Sequence, residues 1–161
     1  MVFIEKNAEA LSEYEIERGK PMPNRVHALI QKRLVFFLES HYGERFEVLP
    51  ELTFELPSEN ATPDVALCAK EPIDLFDTTP REKEPPFGTI EIVSPSQSFS
   101  EFIEKAVDYF AFGVQSCWVV LPAVRTIYVF KSPRDYFAFQ QNDVLVDEKL
   151  GIEMPLAKIF G

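Results

Sequence analysis

The sequence predicts an α+β fold, a mixed β-sheet flanked by helices and closed by a C-terminal antiparallel meander. Two stretches repeat apolar residues at helical spacing, whereas most other apolar residues fall in short runs of strand character. Their order is helix, several strands, helix, strand and meander, with no internal repeat, which suits segregated helices on a mixed sheet. The 161 residues, 46% apolar and 13% aromatic, can bury a core without disulfides or a structural metal. One domain over 1–161 is expected.

The first predicted element is a short strand, Tyr14-Glu15-Ile16-Glu17-Arg18-Gly19, entering a turn at Gly19. From Asn24 to Tyr42, Val26, Leu29, Ile30, Leu34, Phe37 and Leu38 recur at helical spacing, with Asn24 as cap and Gly43 as stop. Phe46 and Val48, then Leu52, Phe54 and Leu56, alternate with Glu47, Glu51, Thr53 and Glu55, the period of a half-buried strand interrupted at Pro50. Val65 to Ala69 and Thr89 to Val93 read as central strands. The connection from Lys70 to Phe87, with Pro72, Pro80, Pro85 and Pro86, is long enough to suggest a functional rim or a mobile loop.

Ser98 and Glu101 have the spacing of a capping box. They open a helix through Phe102, Ile103, Ala106, Val107 and Phe110 that stops at Gly113. Cys117 to Leu121 and Thr126 to Phe130 are strands, followed by a turn at Ser132 to Asp135 and a third strand, Tyr136 to Phe139. From Leu150 the tail reads as a turn and a short terminal helix.

Several function classes are disfavoured. The longest apolar runs, such as Leu34 to Leu38, are far too short to span a bilayer. The Met1 to Lys6 start lacks a basic head and an apolar core, so no signal peptide and a cytoplasmic protein are expected. Cys68 and Cys117 read as two reduced thiols. No glycine pattern marks a dinucleotide or P-loop site. Ser94, Ser96 and Ser98 lack a nucleophile elbow and suit turns and caps around Pro95. The chain carries 16 basic and 26 acidic side chains, net −10, with no run of Lys and Arg. Nucleic-acid binders usually carry a basic stripe, because neutralising phosphates supplies most of their non-specific affinity.

Glu91 is the anomaly. A carboxylate between Ile90 and Ile92 must face a polar pocket, a cation or a metal, since burying an unpaired charge costs several kcal/mol. Asp64 stands at the mouth of the other central strand, after Pro63. If the two strands pair, their carboxylates can share a face and offer hard oxygen ligands to Mg²⁺ or Mn²⁺. Spacing alone leaves open a buried salt bridge with a turn-capping Asp. On the second helix Glu101, Lys105 and Tyr109 form an i, i+4, i+8 stripe that can lean over the end of the Glu91 strand. A lysine there could orient water or stabilise transition-state charge, though an exposed pair with Glu101 or Asp108 is the plainer reading. His27 reads as a packing or capping residue outside the metal site. Tyr109 fits either the site or the core, and Trp118 fits the core.

At these residues the chain resembles a known family. Pro63-Asp64-Val65, then Glu91-Ile92-Val93-Ser94-Pro95-Ser96, then Lys105-x-x-x-Tyr109-x-x-x-Gly113-Val114 with Trp118, resemble the Uma-type restriction endonuclease family. Tyr14 to Gly19 before the His27 helix and the closing Leu150-Gly151-Ile152 to Ile159-Phe160 fit the same pattern. The resemblance implies the PD-(D/E)XK nuclease-like fold, with Asp64 and Glu91 as ligands of Mg²⁺ or Mn²⁺, Lys105 in the basic role and Glu15 as an auxiliary acid. It also implies hydrolysis of DNA through a metal-bound water, and a homodimer. Val93 stands where that fold expects a lysine two residues after Glu91. A dimer could form a local basic groove from Arg25, Lys32 and Arg33. The second function class is a nuclease-fold protein that binds or regulates without turnover, which Val93 and the acidic charge favour.

Overall fold

The structure, a computed structural model, describes Lys20 and residues 22–161; the expected strand Tyr14 to Gly19, with Glu15, lies outside the described residues. Helix α1 spans Arg25–Tyr42, β1 Glu47–Pro50, β2 Phe54–Glu55, β3 Asn60–Ala61, β4 Val65–Cys68 and β5 Gly88–Ile92. Then come α2 Phe99–Phe112, β6 Ser116–Leu121, β7 Thr126–Ser132, β8 Asp135–Gln140, β9 Val144–Asp147, β10 Ile152–Pro155 and α3 Ala157–Phe160. Among the described residues the main sheet has six strands in the order β1-β4-β5-β6-β7-β8. Only β5 and β6 are parallel. A parallel pair needs a crossover connection, and α2 supplies it.

Alternation along the strands sorts side chains into two layers. Val65, Leu67, Ile90, Ile92 and Trp118 pack with Ile30, Leu34 and Leu38 of α1, a cluster that also takes in the β9–β10 hairpin and α3. On the opposite face, Ala66, Cys117 and Val119 pack with Phe102, Ala106 and Tyr109 of α2. The mixed sheet between helices is the predicted fold class. Among the described residues no helix is long and apolar enough to cross a membrane.

Several local expectations need correction. The start of α1 buries His27, while Val26 and Leu29 face outward. Helix α2 likewise buries Phe102, Ala106 and Tyr109 and leaves Ile103 and Val107 exposed, so its inner face runs through the tyrosine. Ser98 is the N-cap residue, but its side chain makes no capping bond and its hydroxyl meets that of Ser100 at 3.0 Å. Gly113 closes α2 at φ 115°, a left-handed conformation that favours glycine.

Pro50 ends the edge strand β1, and Glu51 at φ 57° turns the chain out of the main sheet. The run Leu52 to Leu56 therefore does not continue β1; its Phe54–Glu55 pairs with β3 instead. In the tail, the β9–β10 hairpin precedes the expected short helix. The Lys70 to Phe87 connection is tied down by backbone bonds between Glu82 and residues 53 and 55, at 2.8 and 2.7 Å.

Cys68 and Cys117 are both free thiols. Burial pushes each up to about 12, reinforced at Cys68 by the charges of Glu82, Glu71 and Glu47. Both cysteines are therefore expected to resist iodoacetamide at about pH 8 in the folded protein and to react once it is unfolded in urea. Intact-mass spectra with and without urea check this. Rapid labelling of the folded chain would contradict it.

Candidate active site

The site forms where the ends of β4 and β5 meet α1 and α2. Asp64 directly precedes β4 and is fully buried. Its Oδ2 accepts from the backbone N–H of Ile92 at 2.7 Å, so the side chain continues the inter-strand bonding just past the last β4–β5 pair, Val65 with Ile90. The Asp64 carbonyl accepts from Gln31 Nε2 at 2.8 Å, which ties this corner to α1.

Glu91 lies in β5, one position before Ile92, and points to the α2 side of the sheet. It is buried. Its Oε1 accepts from the Tyr109 hydroxyl at 2.7 Å, and Lys105 Nζ is 3.8 Å from the same oxygen. Val93 is half-buried on this face against the α2-side cluster, so the position that would carry a strand lysine is apolar. The structure thus brings Asp64, Glu91 and Lys105 to one place. Glu15 lies outside the described residues.

Two residues join them that the sequence reading left out. His27, only three residues past the Asn24 cap, places Nε2 2.9 Å from Asp64 Oδ1, so a ring expected to pack or cap contacts the acidic pair. The ring is oriented from the helix start, where Asn24 Oδ1 accepts from the His27 N–H at 2.9 Å. Lys20 is buried, with Nζ 2.6 Å from Asp64 Oδ1 and 3.4 Å from Glu91 Oε2. Nothing around Gly19-Lys20-Pro21 marks this lysine. The only available signal was the demand that buried Glu91 find a cation.

The electrostatics follow from these partners. Burial alone would raise the Asp64 carboxyl, but the His27 hydrogen bond and the Lys20 charge outweigh it and hold the group at about 2. Burial, with the Glu91 charge beside it, drives the Tyr109 hydroxyl well above its ordinary value. Tyr109 therefore acts here as a hydrogen-bond donor. On the far side of His27 a cavity of about 450 Å³ opens, lined by residues including Asn24, His27, Ile92, Val93, Gln97 and Val124 but by neither carboxylate.

Two carboxylates that meet at one ammonium are hard oxygen donors, the type a divalent cation that keeps several waters prefers. Among the described residues no group of three or more His, Cys, Asp and Glu side chains could hold a metal. The Lys20 ammonium stands between the two carboxylates.

The family described as "Uma2: Putative restriction endonuclease" matches residues 6–157. A solved structure from Anabaena variabilis, described as a "putative nuclease belonging to DUF820", superposes with a TM-score of 0.75. It is 20% identical, over 87% of this chain and 83% of its own. At that identity the likeness speaks for the fold. No curated protein matches the chain.

Proposed function

Starting from a chain that belongs to the Uma2 restriction endonuclease family, we propose a metal-dependent nuclease that hydrolyses DNA phosphodiester bonds at the Asp64–Glu91 pair. The observation that carries this reading is the convergence of Asp64, Glu91 and Lys105 at one end of the sheet. Asp64 and Glu91 would hold Mg²⁺ or Mn²⁺, whose chemistry is to polarise a phosphate oxygen and lower the pKa of bound water.

The chain's own groups supply orientation and charge. Tyr109 holds Glu91 through Oε1, which leaves Oε2 toward Lys20 and Asp64. His27 and the Ile92 N–H hold Asp64 in the same way. Lys105 is about a quarter exposed at its side chain, so it can meet a phosphate from solvent while staying near Glu91. It would stabilise negative charge developing on the phosphoryl oxygens.

The test is cleavage of plasmid, duplex and single-stranded oligonucleotides in Mg²⁺ and in Mn²⁺. Wild type is expected to cleave at least one of them, Glu91→Gln to be inactive, and Lys105→Ala to lose about 10²-fold or more in rate. A metal-stimulated activity that persists in Glu91→Gln would count against this site. Val93 and the net charge of −10 favour a second reading, a nuclease-fold module that binds without turnover. Saturable nucleic-acid binding with no cleavage under either metal would support it.

A further inference from the structure

The geometry points to Lys20 as a built-in cation that occupies the metal position between Asp64 and Glu91 and must leave before a divalent ion can enter. This rests on the metal-dependent reading above and adds to it a residue that sets when the ion binds. Lys20 Nζ reaches one oxygen from each carboxylate, Asp64 Oδ1 at 2.6 Å and Glu91 Oε2 at 3.4 Å. An ion bridging the pair would draw on the same two oxygens.

The other two oxygens are already engaged. Asp64 Oδ2 takes the Ile92 N–H, and Glu91 Oε1 takes the Tyr109 hydroxyl and lies near Lys105. All four oxygens thus meet protein donors, Asp64 Oδ1 that of His27 as well, and among the described residues Lys20 is the donor that reaches both carboxylates, so it stands where an ion held by the pair would sit.

Charge gives the same answer. Among the described residues the two carboxylates face two ammoniums, those of Lys20 and Lys105. Adding a divalent ion to that arrangement would place excess positive charge in a site screened little by water. If Lys20 withdraws, the ion replaces one ammonium with two charges, and the pair again has cations on both sides. Lysine is suited to this exchange, since its charge is a point on a flexible stem and it makes no fixed fork as arginine would. A chain without bound metal would thus keep its acidic pair neutralised and ordered, and binding would be an exchange of cations.

The experiment is a Mn²⁺ titration by calorimetry on wild type, Lys20→Met and Lys20→Met/Asp64→Asn, each checked for folding by circular dichroism. Lys20→Met is expected to bind Mn²⁺ at least about ten-fold more tightly than wild type, and the double variant to lose the site. Equal affinities in wild type and Lys20→Met, with loss in the double variant, would overturn the exchange and leave the metal reading standing. No Mn²⁺ binding in either folded protein would overturn both.

Wild type alone provides a second measurement if Lys20→Met does not fold. Acylation of the Lys20 amine by an N-hydroxysuccinimide ester, read by peptide mass spectrometry, should be slow without metal and faster with saturating Mg²⁺. Labelling of Lys20 that does not change when calorimetry shows Mg²⁺ bound would overturn the proposal.

Discussion

Asp64→Ala should lower the stability of the metal-free protein by about 3–5 kcal/mol, because it removes one partner from a buried ion pair and leaves the other charges in place. Three donors lose a bond at once: His27 Nε2, the Ile92 N–H and Lys20 Nζ, which keeps the longer contact to Glu91. Such a loss is a large share of the ~5–15 kcal/mol that holds a typical domain together. Asp64→Asn should cost less, since its amide oxygen can still accept from Ile92.

The same residue predicts an acid limb. The carboxyl sits at about 2 in the folded chain and near 3.9 when unfolded, so as pH falls the unfolded state takes up the proton first. Its contribution, about 2–3 kcal/mol, is fully present above roughly pH 4 and is lost as pH falls toward 2. Urea denaturation of wild type and Asp64→Ala in a chelator, at several pH values, checks both statements. Equal midpoints at neutral pH, or the same acid limb in both proteins, would refute them.

The second large effect concerns a buried aspartate far from the site in its partners. Asp147, at the end of β9, accepts from Ser116 Oγ at 2.5 Å, Trp118 Nε1 at 2.8 Å and the Leu150 N–H at 3.1 Å. Two of these donors belong to β6 and the third to the turn before β10, so a single carboxylate fastens the terminal hairpin to the central sheet. Asp147→Ala would strand an indole N–H, a hydroxyl and a backbone N–H in the interior, costing about 3 kcal/mol. For a chain of this size that is a fall in Tm of roughly 6–12 °C. Because these bonds of Asp147 go to β6 and the turn before β10 and none to Asp64 or Glu91, any nuclease activity should survive below the new midpoint. A melt unchanged within a degree or two would show that water replaces the network.

Much of the architecture was legible because it rests on local signals. The Asn24 cap, the Gly43 and Gly113 stops and the apolar runs of β4, β5, β6 and β7 each declare themselves within a few residues. What was missed depends on distant partners. His27 outranks Val26 and Leu29 for burial only because Asp64, 37 positions away, waits beneath it. Lys20 meets its carboxylates across 44 and 71 positions, a pairing that no spacing in one sequence announces. The β9–β10 hairpin did leave a trace, since Ile152 and Met154 are buried while Glu153 and Pro155 are exposed, but its brevity hid the alternation.

Glu91 also addresses a layer of the molecule. In the parallel β5–β6 ladder it lies opposite Val119, and both side chains project toward α2, while Ile90 and Ile92 project toward α1. Because the pleat repeats every two residues, one residue inserted or deleted within β5 would send the carboxylate into the apolar layer under α1 and an isoleucine into the site. Such a frame change keeps nearly all the composition and loses the chemistry. The strand should therefore accept exchanges of one apolar residue for another far more readily than any change of length.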